Sequence, residues 1–222
     1  MTTTQAVKRR LIAIAIASTL LVAAPGAVLA QAAAAKPAAA AAQGSPSKVV
    51  LDNSQRVLSA LESRRAEFTK NRAALRTFID SEFNTMFDRD YAGRQVLGRH
   101  ARGASDADIK LFSDALADNL MQRYGSALLD FNAQLRVRVI SESPLPRGLG
   151  VKVSSEFLRS GGDAIPVDYF VRRNGGTWKV FDVMVEGVSY VQTFRKQFDG
   201  ELQTKSISQV ASELRAGSLT PE

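Results

Sequence analysis

The sequence predicts an α+β domain in which long helices cover a four-stranded antiparallel sheet. As far as Phe131, apolar residues recur every three or four positions, which is typical of amphipathic helices. From Leu135 onward they alternate with polar residues, which is typical of strands. The helical spacing returns after Gly187. Helices, then an antiparallel meander, then further helices define the α+β class.

The first half of the domain is predicted to hold four helices. Apolar spacing predicts one helix over Val50–Phe68, a second over Leu75–Phe87 and a short third that stops at Gly98. Ser105 is the expected N-cap of a long fourth helix, because its side chain can accept a backbone N–H bond. The apolar stripe of this long helix is Phe112, Leu116, Leu120, Tyr124, Leu128 and Phe131.

The second half is predicted to hold four strands. Leu135–Val139, Leu149–Phe157 and Ile165–Val171 alternate apolar and polar residues, and Asn174-Gly175-Gly176 favours a tight hairpin after the third. The fourth strand, Trp178–Val185, is apolar on both faces and is therefore expected at the centre of the sheet. Two helices follow, with Val188, Val191, Phe194 and Phe198 on the first and Gly217 ending the second.

Residues 1–30 have the layout of a secretory signal peptide. Lys8, Arg9 and Arg10 precede an apolar run from Leu11 to Ala24, which is shorter than the roughly 20 residues that span a bilayer. Residues 31–47 are mostly Ala, Pro, Gln, Gly and Ser, as in a flexible linker. We therefore expect a single domain over residues 48–217 and a disordered tail over residues 218–222.

Composition restricts the chemistry. The chain contains no cysteine and one histidine, His100, so thiolate nucleophiles and multi-histidine metal sites are excluded. Without residues 1–30 there are 26 basic and 22 acidic residues, a net charge of +4. This mild excess, without basic-aromatic motifs, argues against nucleic acid as a partner and favours anionic membrane surfaces or acidic protein patches.

Catalytic signals are weak. No phosphate-binding glycine loop, dinucleotide fingerprint or nucleophile elbow is present. Asp182 and Glu186 share a strand parity, so they could form an acid–base pair in an apolar pocket, where burial raises a carboxyl pKa. Capping of strand ends or pairing with arginines is the simpler interpretation. No enzyme activity, cofactor or metal is expected.

Three segments carry a resemblance to a known family. YAGRQVLGR (residues 91–99), RYGSALLDF (residues 123–131) and DVMVEGVSYVQTFR (residues 182–195) occur in this order. They resemble the toluene-tolerance/MlaC family of periplasmic phospholipid-binding proteins, over roughly residues 49–215. The resemblance implies a helix-covered sheet related to the NTF2-like cone, with an apolar cavity.

The resemblance also implies a function. Members of this family are periplasmic carriers that shuttle phospholipid between an outer-membrane lipoprotein–porin complex and an inner-membrane ABC transporter with an MCE-domain subunit, which maintains outer-membrane lipid asymmetry. A monomer that binds phospholipid is expected. Hopanoid cargo, a periplasmic NTF2-like enzyme and a lipid-free envelope adaptor stay open as alternatives.

The expected lipid site combines the sheet with the long helix. Alternation predicts one apolar sheet face as a wall of the site, and helix residues are expected to cover it. Two later residues are expected to form the rim of the cavity. A register shift of one residue would exchange the two sheet faces, so either face could be the inner one. The alternative is that this wall is solid core and that the cavity lies elsewhere. The predicted lipid-binding residues are Val137, Val139, Val151, Val153, Val167, Tyr169 and Val171 on the wall, Tyr91, Val96, Leu97, Phe112, Leu116, Leu120 and Tyr124 on the helices, and Val188 and Val191 on the rim.

Basic residues cluster around the loop between the third and fourth helices. Arg94, Arg99, Arg102 and Lys110 are the candidates for docking onto acidic patches of the membrane complexes. Each of them alone could equally be an ordinary solvated side chain.

Overall fold

This computed structural model describes residues 44–124, 135–159, 162–219 and 221, which all belong to one compact unit. The expected signal peptide, most of the expected linker, and the stripe residues Leu128 and Phe131 lie outside the described residues. Tyr124 ends a described helix, but its side chain lies outside the description as well.

Three helices open the domain: α1 (Pro46–Ser63), α2 (Arg65–Lys70) and α3 (Arg72–Met86). Helix α1 begins where the Ser45 side chain accepts the Lys48 N–H. The prediction of one helix from Val50 to Phe68 is wrong, because Arg64 leaves the helical conformation with ψ 13° and separates α1 from α2. The break lets Phe68 stack on Phe78 of α3, with ring centroids 5.4 Å apart.

The next two helices agree with the sequence prediction. Helix α4 (Arg89–Leu97) is capped by the Asp88 carboxylate, which accepts the Tyr91 N–H at 3.2 Å, and it ends at Gly98 with φ 56°. A 3-10 turn, Gly98–Ala101, leads into α5 (Asp106–Tyr124). The Ser105 hydroxyl oxygen accepts the Asp108 N–H at 3.1 Å, as expected of an N-cap.

The sheet is antiparallel and has five strands in the order β1-β2-β3-β4-β5, one more than predicted. The fifth strand is the two-residue pairing of Val188 and Ser189 with the end of β4. A two-residue turn joins β3 to β4, with Gly175 and Gly176 both at positive φ, as type I′ hairpins require. The strands are β1 (Arg136–Pro144), β2 (Val151–Leu158), β3 (Ile165–Asn174), β4 (Thr177–Val185) and β5 (Val188–Ser189).

Strand β4 differs from its prediction in two ways. Val171 pairs with Val180 and Phe170 with Asp182, so Phe181 is an extra, bulged residue. A bulge reverses the side-chain alternation, and Val183 therefore shares a face with Val180. The strand is also not central, because its outer edge meets only β5 and a single bridge from Phe87 to Val180.

Two helices complete the chain: α6 (Tyr190–Thr204) and α7 (Ile207–Ala216). Ser189 caps α6, Ser206 and Gln209 form a capping box on α7, and Gly217 ends α7 with φ 72°. The Leu219 N–H donates to the Glu213 carbonyl at 3.3 Å, which holds the chain against α7.

The described residues form three hydrophobic cores, the smallest of which joins α1, α2 and α3 around Phe68. The helical core joins α4, α5, α6 and α7 around Phe112, Phe198 and Leu214. The sheet core joins one sheet face to Val50 of α1. None of the helices in the described ranges is long and apolar enough to cross a bilayer.

Candidate functional site

An apolar cavity of about 580 Å³ lies between the helical core and the sheet core. Its walls come from the end of α3, from α4, α5 and the start of α6, and from β4. This volume is in the range of small-molecule sites, about 300–1,000 Å³. The lining residues are Phe83, Phe87, Arg89, Ala92, Gly93, Val96, Ser113, Leu116, Ala117, Leu120, Phe181, Asp182, Val183, Tyr190, Val191 and Phe194.

Aromatic rings form much of the wall, and backbone pairing at the edge of β4 places them. Phe87 bridges to Val180, and the Asp88 N–H donates to the Val180 carbonyl at 2.8 Å. This pairing fixes the end of α3 against the sheet. Phe83 and Phe87 stack there with ring centroids 4.0 Å apart. The bulged Phe181 faces the same space from β4.

The helical wall depends on a close approach of α4 to α5 at Gly93. A Cβ atom added to Gly93 would lie 1.9 Å from the Ser113 Oγ and 3.0 Å from the Ser113 Cβ. Ser113 is buried, and its hydroxyl donates to the Ile109 carbonyl at 2.7 Å. Glycine is therefore required at position 93 for the two helices to pack at this distance.

Asp182 is a polar residue in the cavity lining, but both of its oxygens are engaged. They accept the Ser189 hydroxyl at 2.6 Å and the Val191 N–H at 3.0 Å. The carboxylate thus ties β4 to the first turn of α6, where the helix dipole favours negative charge. Burial raises the pKa of Asp182, and these hydrogen bonds oppose the rise.

The structure does not support an acid–base pair of Asp182 and Glu186. Glu186 lies in the turn between β4 and β5, is exposed and has φ 50°, and its N–H donates to the Pro166 carbonyl. Glu186 is also absent from the cavity lining. Asp182 is therefore best described as a residue that positions α6.

Asp88 holds α4 against the sheet face that lies opposite the sheet core. Its carboxylate, which is almost fully buried, binds the Arg172 guanidinium and accepts from the Asn174 side-chain amide at 3.1 Å. Arg172 also lies over the Tyr91 ring, 4.2 Å from its centroid. These contacts fix the start of α4, which carries Arg89 and Ala92 to the cavity.

Four of the predicted lipid-binding residues line this cavity: Val96, Leu116, Leu120 and Val191. Leu97 and Phe112 are buried in the helical core. Tyr91 packs edge-on against Phe181, with ring centroids 5.1 Å apart. Val188 lies in β5 and not on the expected helix, and it is exposed.

The seven predicted wall residues do share one sheet face. Strand register aligns Val137, Val139, Val151, Val153, Val167, Tyr169 and Val171 on this face. All of them except Val137 contribute to the sheet core, which packs against Val50 of α1, and none of the seven lines the cavity between the cores. The expected closure of this wall by α5 is wrong, because α5 packs on α4 and α7 and joins the helical core.

Sequence reasoning missed the aromatic wall. Phe83, Phe87 and Phe194 were recognised only as members of helical stripes, and such stripes do not show which core they face. Phe181 and Val183 face the cavity because of a bulge and an edge position, neither of which alternation reveals. The one available signal was the concentration of apolar residues on both faces of β4.

The predicted docking residues are mostly paired. Arg94 binds Asp106 at 2.7 Å, Arg99 binds Asp199 at 2.9 Å and Lys110 binds Asp114 at 2.9 Å. His100 also contacts Asp199, at 2.9 Å. The hydrogen bond with His100, and to a smaller extent the charge of Arg99, lower the pKa of Asp199.

Arg102 lies in a separate groove with a strong basic character. The groove runs between the 3-10 turn and α6, and Arg99, Arg102, Arg195 and Lys196 line it beside the single acidic residue Asp199. Arg195 donates from Nε to the Gln95 carbonyl at 2.6 Å, which joins α6 to α4. The structure therefore offers a cationic surface on the far side of α4 and α6 from the cavity lining.

Comparison with known sequences identifies the class of protein. The sequence model of the MlaC protein family matches residues 51–216, nearly the whole described domain. This chain belongs to the MlaC family.

Individual relatives agree with this assignment. The chain is 23% identical over 183 residues to the intermembrane phospholipid transport system binding protein MlaC of Haemophilus influenzae, across 81% of this chain and 85% of that protein. It is 26% identical over 163 residues to the toluene tolerance protein ttg2D of Pseudomonas putida, across 73% and 75%.

A solved structure shares the fold. A phospholipid-binding protein from Ralstonia solanacearum, solved in complex with a phospholipid, superimposes with a TM-score of 0.68 at 18% identity. The match covers 78% of this chain and 98% of that chain.

Proposed function

We propose that this chain is an exported, non-catalytic carrier of phospholipid that acts in the periplasm. The observation that carries the proposal is the apolar cavity between the two cores, in a chain of the MlaC family. The relatives named for phospholipid transport and the relative bound to phospholipid support the choice of cargo. The signal-like residues 1–30 support export.

Physical chemistry explains why such a cargo needs a carrier. Each methylene exposed to water costs about 0.8 kcal/mol, so two acyl chains of about 16 carbons cost on the order of 25 kcal/mol. Spontaneous escape from a membrane is correspondingly slow. A cavity walled by Phe83, Leu116 and Phe194 replaces part of that exposure with apolar contact.

Native mass spectrometry of the mature protein, purified without detergent, tests this proposal. We expect a mass increment equal to one phospholipid, and solvent extraction followed by lipidomics should identify it. If lipidomics finds a hopanoid in place of phospholipid, the protein is still a lipid carrier but its proposed cargo is wrong. A lipid-free protein that also fails to bind added phospholipid would favour the adaptor alternative.

We further propose two docking partners at opposite membranes: an outer-membrane lipoprotein–porin complex and an inner-membrane ABC transporter with an MCE-domain subunit. Shuttling between them would maintain the lipid asymmetry of the outer membrane. The basic groove supports docking on acidic surfaces, because Arg102 and Lys196 have no ion pair among the described residues. Arg99 lines this groove, Arg94 and Lys110 do not, and all three are proposed to take part in docking.

Charge reversal tests the docking surface. The double variant Arg102→Glu, Lys196→Glu should slow lipid delivery to vesicles that carry the transporter and leave the amount of bound lipid unchanged. Added salt should reduce the difference, because it screens exposed charges. The control Lys70→Glu, Arg147→Glu makes the same charge change at exposed positions outside the groove. Equal delivery by both double variants would contradict this docking site.

A further inference from the structure

Arg89 carries a buried hydrogen-bond donor that has no acceptor. It is the first residue of α4 and lines the apolar cavity. Its Nε is shielded from solvent and has no hydrogen-bond partner among the described residues. Such an atom is unfavourable, because it has lost water and gained nothing in exchange. The other two atoms of this kind, in Asn119 and Trp178, lie outside the cavity lining.

The rest of the Arg89 guanidinium is anchored. Its Nη1 donates to the Asn84 Oδ1 at 2.7 Å, and its Nη2 lies 3.5 Å from the Asp114 Oδ1. Neither Asn84 nor Asp114 lines the cavity. The guanidinium is therefore held in place by its outer nitrogens, whereas its Nε–H makes no hydrogen bond within the described residues.

None of the other polar side chains in the lining, Ser113, Asp182 and Tyr190, accepts a hydrogen bond from the Arg89 Nε. The Asp182 oxygens accept from Ser189 and Val191, and the Ser113 hydroxyl donates to the Ile109 carbonyl. The Arg89 side chain is 22% exposed, so it stands where the apolar space reaches solvent. A lipid whose acyl chain fills the apolar space would have its polar group at this solvent-exposed end.

We propose that the Arg89 Nε–H binds an anionic oxygen at the point where the acyl chain of the cargo meets its polar group. The chemistry fits a phosphate oxygen of a phospholipid or the carboxylate of a fatty acid, since Arg binds both through charge-assisted hydrogen bonds. The inference rests on the proposed function, because it takes an acyl chain as the occupant of the cavity.

Ligand titration of Arg89→Met tests the assignment. Methionine keeps an unbranched apolar stem and removes all of the donors, and Asp114 retains Lys110 as its partner at 2.9 Å. Three probes are titrated: dioleoylphosphatidylglycerol, oleate and diphenylhexatriene, which has no hydrogen-bonding group. We expect affinity for at least one of the lipids to fall about 10-fold, equivalent to 1.4 kcal/mol, with diphenylhexatriene unchanged.

The pattern of loss identifies the group that Arg89 binds. A loss of affinity for phosphatidylglycerol alone indicates that Arg89 binds a phosphate, and a loss of affinity for oleate alone indicates that it binds a carboxylate. A loss of affinity for both lipids indicates general recognition of anionic oxygen. The control Arg76→Met removes an arginine of α3 that pairs with Asp80 and Asp118 and does not line the cavity, and it should bind all three probes normally.

Two results would overturn the assignment. One is unchanged affinity of Arg89→Met for both lipids, and the other is an equal loss for diphenylhexatriene, which would mean damage to the cavity. A wild-type protein that binds diphenylhexatriene and neither lipid would instead contradict the proposed function.

Discussion

Replacing Leu120 by tryptophan should weaken lipid binding and leave the fold intact. Leu120 lines the cavity from α5, next to open space, and it is only partly buried. The tryptophan side chain carries about six more non-hydrogen atoms than the leucine side chain. At roughly 10 Å³ for each covalently bonded atom of a close-packed side chain, it fills on the order of 60 Å³ of the cavity.

The expected loss of affinity follows from this volume. A filled volume of that size excludes about two methylenes of an acyl chain, worth about 1.6 kcal/mol at 0.8 kcal/mol each, or roughly 15-fold in affinity. The unfolding free energy should change by less than about 1 kcal/mol, because the new ring occupies existing space. Displacement of diphenylhexatriene and native mass spectrometry measure binding, and urea denaturation measures stability.

Two further tryptophan variants make the comparison decisive. Val153 is fully buried in the sheet core, so Val153→Trp should cost about 1–3 kcal/mol or more of stability. Ala107→Trp lies on an exposed position of α5 and should change neither property. If Leu120→Trp keeps its lipid and loses stability, the reasoning about the cavity is refuted.

Two other predictions concern the residues that shape the cavity. Gly93→Ala should destabilise the fold by about 1–3 kcal/mol, because its Cβ meets the Ser113 Oγ; adding Ser113→Ala should recover part of the loss, and a double-mutant cycle in urea measures the coupling. Gly200→Ala in α6, where an added Cβ meets nothing within 4 Å, should instead stabilise the protein, and equal losses at the two glycines would contradict the packing argument. Burial raises the pKa of Asp182 above its usual 3.8, so the folded protein holds a proton that the unfolded chain releases. The unfolding free energy should therefore fall as pH rises from 3.8 to the higher pKa of Asp182 in the folded protein. Over the same pH range, urea denaturation should show the stability of Asp182→Asn increasing relative to that of the wild type. A difference in stability that does not change with pH would contradict this direction of the pKa shift.

Local sequence signals predicted most of the secondary structure. Three of these elements depend only on residues that are neighbours in the chain: the Asp88–Gly98 segment, the Ser105 cap and the Gly175-Gly176 turn. They can therefore be predicted without knowledge of the fold. The short β5 and the break at Arg64 were missed, since two-residue pairings and single non-helical residues leave no periodic pattern.

The position of the cavity could not be read in the same way. Alternation correctly placed Val153 and Tyr169 on one sheet face, but it contains no information about which helix covers that face. Helix α1 does so, and α5 belongs to a second core. A cavity between two cores is defined by long-range packing, for which the sequence of Phe83, Phe181 or Phe194 offers no local signal.

Photo-crosslinking tests the central claim, that the space between the two cores holds the acyl chain. The mature protein is loaded with a phosphatidylglycerol that carries a diazirine in the middle of one acyl chain, irradiated, and digested for peptide mass spectrometry. We expect lipid adducts on cavity residues such as Phe83, Leu116 and Phe194. Adducts on Val137, Val153 or other residues of the face beneath α1, with none in the cavity, would contradict it.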